Sequence, residues 1–191
     1  YPASTVKALA VMGDTLFAGT YSSGVYRSTN NGTSWAAVNN GLTNNGIEAL
    51  LVSGTDLFAG TGGGVYRSSD RGVSWVQVNS GIIAGTRVNA LALSGTNLFA
   101  ATNNWNGVHL STDNGANWIG FDTGLSTEME CLAVSGSYIC AGDWGIWRRP
   151  LADVFTAIDS PTQEDLLAVF PNPVDAVLNL TIPVLGSSGR V

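Results

Sequence analysis

The sequence predicts an all-β fold built as a run of β-propeller blades, and three observations predict it. The phrase LFAGT at 16–20 returns at 57–61, again as LFAAT at 98–102, and in degraded form as YICAG at 138–142, at spacings of 41, 41 and 40 residues. Each repeat carries short apolar segments punctuated by Gly, Asn, Ser and Thr, the pattern of strands and tight turns. A tryptophan, at Trp35, Trp75 and Trp118, follows a polar turn at the same place in three of the repeats.

Within a unit the elements keep one order. A first segment (VKALAV, IEALLV, VNALAL, MECLAV) meets a tight Gly turn and then the LFAGT segment. After a variable loop comes a third segment (GVYRS twice, then GVHLS and GIWRR), and a polar turn leads to a fourth that opens on the tryptophan. A helical reading fails because Gly and Asn interrupt every window before three turns accumulate. A generic sandwich would explain the strands but not the period, whereas four strands per unit of about 40 residues is the period of a propeller blade. Four four-stranded blades are expected at about 6–45, 46–86, 87–127 and 128–158. The fourth has Trp147-Arg148-Arg149-Pro150 where the polar turn should be, and its last strand is expected near 155–158.

Composition narrows the function classes. A net charge of −6 with only eight Lys and Arg argues against a surface that tracks nucleic-acid phosphates. Hydrophobic content of 45% is ample for a core, yet no apolar run reaches membrane-spanning length. No basic-then-apolar leader opens the sequence, so a mature terminus or a chosen boundary is expected at Tyr1. His/Cys metal spacing, a phosphate loop and a nucleophile elbow are all missing from the sequence; GTGGGVY at 60–66 opens a strand and not a helix. No metal or cofactor is expected.

The polar turn reads STNNGTSW from Ser28 through Asn30 and Gly32 to Trp35, SSDRGVSW from Ser68 through Asp70 and Gly72 to Trp75, and STDNGANW from Ser111 through Asp113 and Gly115 to Trp118. It resembles the Asp-box of sialidase-like and photosystem-assembly-factor-like propellers. The chemistry is that of a folded hairpin. The Asp or Asn caps backbone N–H groups, the Gly takes positive φ, and the Trp buries a large surface. The resemblance implies that these turns lie on the face opposite any ligand, so Asp70 and Asp113 are expected to serve structure and not catalysis. Arg27, Arg67 and Arg148 share one repeat position beside the turn, and His109 replaces Tyr26, Tyr66 and Trp147, so these too are expected to be blade structure.

Cys131 aligns with Ala8, Ala49 and Ala90, and Cys140 with Ala18, Ala59 and Ala100. On that alignment a cross-strand Ala pair has become a Cys pair, and a disulfide is expected. Two buried free thiols are the alternative. A bridge would suit an oxidising compartment.

After a linker at 159–165, the segment at 166–182 contains F-P-N-P-V-x-x-x-L-N-L. It resembles the start of the type A C-terminal sorting domain of the type IX secretion system. Pro171 and Pro173 bracket Asn172 in a rigid turn, and Val177, Leu178 and Leu180 supply the next strand. The match covers about 33 residues, roughly half of such a domain, so a truncated copy is expected over 166–191. The resemblance implies contact with the type IX machinery and a secreted or outer-membrane-surface location in a Bacteroidetes-type bacterium. An unrelated strand pair is the alternative.

Residues that break the repeat are the candidates for function. The loops between second and third strands offer Tyr21, Asn103, Trp105, Asp143 and Trp144, aromatics among polar groups that suit stacking on a sugar ring. Ordinary loop packing is the alternative. At the start of the innermost strands stand Lys7, Glu48, Asn89 and Glu130, which would ring a channel mouth. Glu48 and Glu130 would make a carboxylate pair for glycoside hydrolysis or cation binding if their separation allowed it. The function expected is a non-catalytic binding or adhesion module, for a glycan or a surface protein. A fragment of a sialidase-like glycoside hydrolase and a structural propeller within a surface assembly are the alternatives. Whether four blades close alone is left open, and a homo-oligomer completing the propeller is one answer.

Overall fold

The computed structural model describes residues 4–103, 107–121 and 129–157. Three four-stranded antiparallel sheets follow one another along the chain: β1 (Val6–Met12), β2 (Thr15–Thr20), β3 (Val25–Ser28) and β4 (Ala36–Ala37); β5 (Ile47–Ser53), β6 (Asp56–Thr61), β7 (Gly64–Ser68) and β8 (Val76–Gln77); β9 (Val88–Ser94), β10 (Asn97–Thr102), β11 (Val108–Ser111) and β12 (Ile119–Gly120). The fourth sheet has three strands, β13 (Cys131–Ser135), β14 (Tyr138–Gly142) and β15 (Ile146–Pro150). Each sheet is a meander in which every strand pairs with the next, and the sheets pack through their innermost strands, β1 on β5, β5 on β9 and β9 on β13. This is the blade architecture of a propeller.

The strand expected near 155–158 is a helix instead, α1 (Leu151–Ala157). Pro150 ends β15, and Leu151, Val154 and Phe155 follow at the i, i+3, i+4 spacing that gives a helix one apolar face. Leu151 and Val154 are buried in the core between third and fourth blades, and Phe155 packs beside them.

The core is a set of layers between consecutive blades. In the first layer, Phe17 and Val25 of the first blade meet Ile47, Leu57, Tyr66 and Trp75 of the second. The second layer repeats this with Phe58 and Val65 against Val88, Leu98 and Trp118. In the third, Phe99 and Val108 meet Ile139 and Ala141, and the two α1 residues complete it. Burying each such side chain is worth about 1.5–3 kcal/mol. Each layer draws residues from both flanking blades, so a blade has no complete core of its own.

The Ser-x-Asp/Asn-x-Gly turns stitch the layers. The Ser68 hydroxyl donates to Asp70 Oδ1 at 2.7 Å and accepts from Gly72 N at 2.7 Å; the Ser74 N–H donates to Asp70 Oδ1 at 2.8 Å. Ser111, Asp113, Gly115 and Asn117 repeat the set. In the first blade Asn30 Oδ1 accepts from the Ser28 hydroxyl and from Ser34 N, so the amide replaces the carboxylate without loss of bonds. The tryptophans then reach backward. Trp75 Nε1 donates to Val38 O and Trp118 Nε1 to Val78 O, each at 2.8 Å and each in the preceding blade. Trp35 bonds only within its own turn, to Gly32 O at 3.1 Å.

The hairpin glycines Gly13, Gly54, Gly95 and Gly136 all have φ near +60° and recur every 41 residues, fourth blade included. The fourth copy is therefore shifted by one residue from the alignment of YICAG with LFAGT. Tyr138 occupies the place of Thr15, Asp56 and Asn97, and Cys140 the place of Phe17, Phe58 and Phe99. The expected disulfide fails on pairing: in the first three blades Ala8, Ala49 and Ala90 lie opposite Gly19, Gly60 and Ala101 and not opposite Ala18, Ala59 and Ala100, and in the fourth Cys131 lies opposite Gly142 and Cys140 opposite Ala133, with both thiols free. The Cys131 thiol instead contacts Gly142 O at 3.7 Å.

Two outcomes check this account. Gly81 (φ +92°) places its missing Cβ against the Trp118 carbonyl, whereas Gly54 (φ +60°) faces open space. Gly54→Ala should cost about 1 kcal/mol of backbone strain in a urea unfolding series. Gly81→Ala should cost at least about 2 kcal/mol more, because a blade seam must open. The second outcome concerns acid. Hydrogen bonds from the Ser74 hydroxyl, the Ser74 N–H and the Ser68 hydroxyl hold the Asp70 carboxyl down to about 2, against an ordinary value of 3.8. Asp113 is lowered likewise, chiefly by Asn117. A depressed carboxyl contributes fully above its unfolded value, and the contribution is lost as pH falls from 3.8 towards 2. Asp70→Asn, on the precedent of Asn30, should fold normally at neutral pH and lose part of that acid slope when stability is measured across this range.

Candidate functional site

Two edges of each blade do different things. Ser28, which starts the polar turn, lies opposite Leu16 near the Gly13 hairpin, while Val25 at the other end of β3 lies opposite Gly19. These polar turns therefore sit at one edge of the sheets. The second-to-third loops and the starts of the innermost strands share the opposite edge, where the Tyr21 N–H donates to Thr5 O and the Asn103 N–H to Arg87 O.

At that edge each of the first three blades carries a β-bulge, and the extra residue is Lys7, Glu48 or Asn89. A bulge inserts one residue into one strand of a pair and re-aims its side chain. Glu48 lies between two cations, Lys7 Nζ at 3.8 Å and Arg87 Nε at 3.7 Å. This ladder spans three blades. Arg87, which the sequence offered no repeat-based reason to select, is half-exposed and adjoins the bulge. Lys7 also lies over the Tyr21 ring at 5.9 Å from its centroid. Asn89 Nδ2 donates to Met129 O, tying the third bulge to the fourth blade. Glu130 is exposed and precedes β13; its N–H donates to Gly142 O.

The loops are held from below by a repeated buried threonine. Thr20, Thr61 and Thr102 each donate to a loop carbonyl, Gly24 O, Gly64 O and Gly107 O. In the corrected register Asp143 stands at this position, and its Oδ1 accepts from Gly145 N at 2.9 Å, so it shapes the turn in the threonine's place. Asn103 Oδ1 accepts from Arg87 N and fixes the start of β9. The aromatics are left outward: Tyr21 is 56% exposed and Trp144, at the tip of the Asp143–Gly145 turn, 93%. Trp105 lies outside the described residues.

The remaining candidates are occupied by packing. Arg27 donates to Arg71 O of the next blade's turn, and Arg67 pairs with Asp56, which also accepts from Asn114 Nδ2 in the third blade. Arg148 lies over the Tyr138 ring at 4.4 Å. His109 is buried opposite Ala100 at the tyrosine position. No cluster of three metal-ligating side chains occurs among the described residues, and no helix there is long and apolar enough to cross a membrane.

Repeated four-strand meanders, stitched by polar turns at one edge and bearing irregular loops at the other, define a β-propeller domain. Residues 2–140 match the model of the DUF6242 beta propeller domain, and the chain belongs to that family. Among solved structures it is similar to the extracellular domain of the hybrid two-component-system protein BT4673 from B. thetaiotaomicron, with a TM-score of 0.66 at 20% identity over 78% of this chain and 21% of that one. It is also similar to an ancestral GH74 enzyme (TM-score 0.65, 19% identity, 76% of this chain and 22% of that one). A third is the GH74 enzyme of Niastella koreensis (TM-score 0.59, 21% identity, 74% of this chain and 27% of that one). At these identities the likeness is one of fold, and the chain spans about a fifth to a quarter of the length of those proteins. No curated protein matches the sequence.

Proposed function

We propose that this chain is a non-catalytic binding module of a secreted or cell-surface protein, with a glycan as ligand. The observation that carries the reading is Trp144, 93% exposed on a turn closed by bonds between Asp143 and Gly145 in both directions. A large aromatic ring left in water on a hydrogen-bonded turn offers a surface for stacking. Tyr21, exposed at the same edge of the first blade, adds a second stacking surface with Lys7 beside it. Polar groups at that edge, Asn103 and the Glu48 ladder, would meet hydroxyls. A surface location is supported by the F-P-N-P segment's resemblance to a type IX sorting domain, which lies outside the described residues, and by the extracellular neighbour from B. thetaiotaomicron.

The turns between third and fourth strands are Asp-boxes on this reading, which fits the bonding of Asp70 and Asp113 into their own hairpins. A second reading, a section of a larger enzyme, draws on the likeness to GH74 enzymes. Against it stands Glu48, which is held between two cations, Lys7 and Arg87.

A glycan array followed by titration of any hit tests the proposal. Trp144→Ala should weaken binding at least about tenfold, equivalent to about 1.4 kcal/mol. Binding that survives both Trp144→Ala and Tyr21→Ala sinks the aromatic platform. Turnover of a glycan that disappears in Glu48→Gln or Glu130→Gln would establish the enzyme reading in its place.

A further inference from the structure

Two cations are gathered on one carboxylate at the loop edge, and the fold gains little from the arrangement. Glu48 holds Lys7 Nζ at 3.8 Å on one side and Arg87 Nε at 3.7 Å on the other. Both steps cross seams within the chain, first blade to second and second to third. At these lengths neither contact is a hydrogen bond. Among the described residues the three side chains make none, and Arg87 is bonded through its backbone alone, to Asn103 in both directions. Arg67, at the opposite edge, shows what a pair that serves the fold looks like. Its Nε and Nη2 both donate to Asp56 Oδ2, at 3.1 and 2.8 Å, and Asn114 adds a third donor. The Arg87 side chain is instead 48% exposed, and an ion pair so exposed contributes little to stability.

What the ladder does have is a surplus. One carboxylate offsets one of two cations, and the donors of an ammonium and a guanidinium are left unspent. Their positions are set by the backbone: Lys7 and Glu48 are the bulge residues of their blades, and Asn103 pins Arg87. Lys7 also lies over the Tyr21 ring, so an aromatic face adjoins the charge. The carboxylates of the fourth blade do not cancel the surplus. Neither Glu130 nor Asp143 forms a salt bridge with the ladder among the described residues, and Asp143 is engaged by Gly145 N.

We propose that this ladder is an anion subsite, and that the ligand is an acidic glycan whose uronic-acid carboxylate is drawn to Lys7 and Arg87 while its ring lies against Tyr21. The inference rests on the glycan-binding reading above and names the class of glycan. A planar carboxylate matches the fork of a guanidinium and accepts its charged donors, which the hydroxyls of a neutral sugar do less strongly. Glu48 keeps the two cations in one row and competes with the ligand for them.

The test is titration of the full chain with oligosaccharides of galacturonate, glucuronate and mannuronate, each beside its carboxyl-reduced neutral counterpart. An acidic member should bind at least about tenfold more tightly than its reduced partner at low salt, and added salt should narrow the difference. Arg87→Gln should erase the preference and Arg87→Lys should keep part of it. Glu48→Gln, which removes the competing carboxylate, should enlarge it, a change of opposite sign that loss of folding cannot produce. Equal binding within each pair, a preference for the neutral member, or a preference indifferent to Arg87→Gln in a variant of unchanged circular dichroism would overturn this inference and leave the glycan reading standing. No binding to any glycan, acidic or neutral, would overturn both.

Discussion

Everything in this structure depends on the apolar layer between one blade and the next. A blade of four short strands buries little by itself, and its strands are too few residues to hold a sheet without a neighbour. The layer supplies what the sheet lacks, with Phe and Val from one blade closing over Leu, Tyr and Trp from the next. The hydrogen bond from the indole of each later tryptophan to the preceding blade fixes the spacing of that contact in a way that apolar burial, which is non-directional, cannot. Contacts of this kind couple each blade chiefly to its neighbours, as in other repeat proteins.

That arrangement separates the demands on the two edges of the sheets. At the polar-turn edge the backbone must hold a non-Gly residue at positive φ (Asn31, Arg71 and Asn114 at 55° to 59°), and the Ser and Asp or Asn side chains beside it cap the turn. At the opposite edge the bulges hold Lys, Glu and Asn in turn, and the loops differ in length from blade to blade. Charge and aromatic surface collect there because the fold asks little of those positions.

Legibility in the sequence followed the same division. Turns that need Ser, Asp or Asn, Gly and Trp at fixed offsets were plain, and so was the strand order they imply. The bulges were not, since no residue type is demanded at Lys7, Glu48 or Asn89; only the pairing register exposes them. The fourth blade misled for a related reason. Tyr138 resembles Leu98 in being large and apolar, but the hairpin at Gly136 sets the register, and a one-residue slip moves every side chain to the other face of a strand. Cys140 faces Ala133, and neither register would bring it opposite Cys131, since the position of Ala8, Ala49 and Ala90 pairs one residue further along the second strand. The helix at Leu151–Ala157 was concealed by the expectation of a fourth strand, although Pro150 and the i, i+3, i+4 spacing after it carried the signal.

The 41-residue interval between hairpin glycines has a consequence for how such chains change over time. Because the first two seams share one chemistry, duplicating a unit from within that stretch inserts a blade whose leading and trailing faces both find their usual counterparts. Deleting one rejoins the flanking blades equally well. Seam chemistry therefore sets no limit on copy number, and the limit comes from the geometry of closing a circle. The fourth unit is under a different rule, having lost the polar turn and changed the buried Phe to Cys140 without disturbing the first two seams.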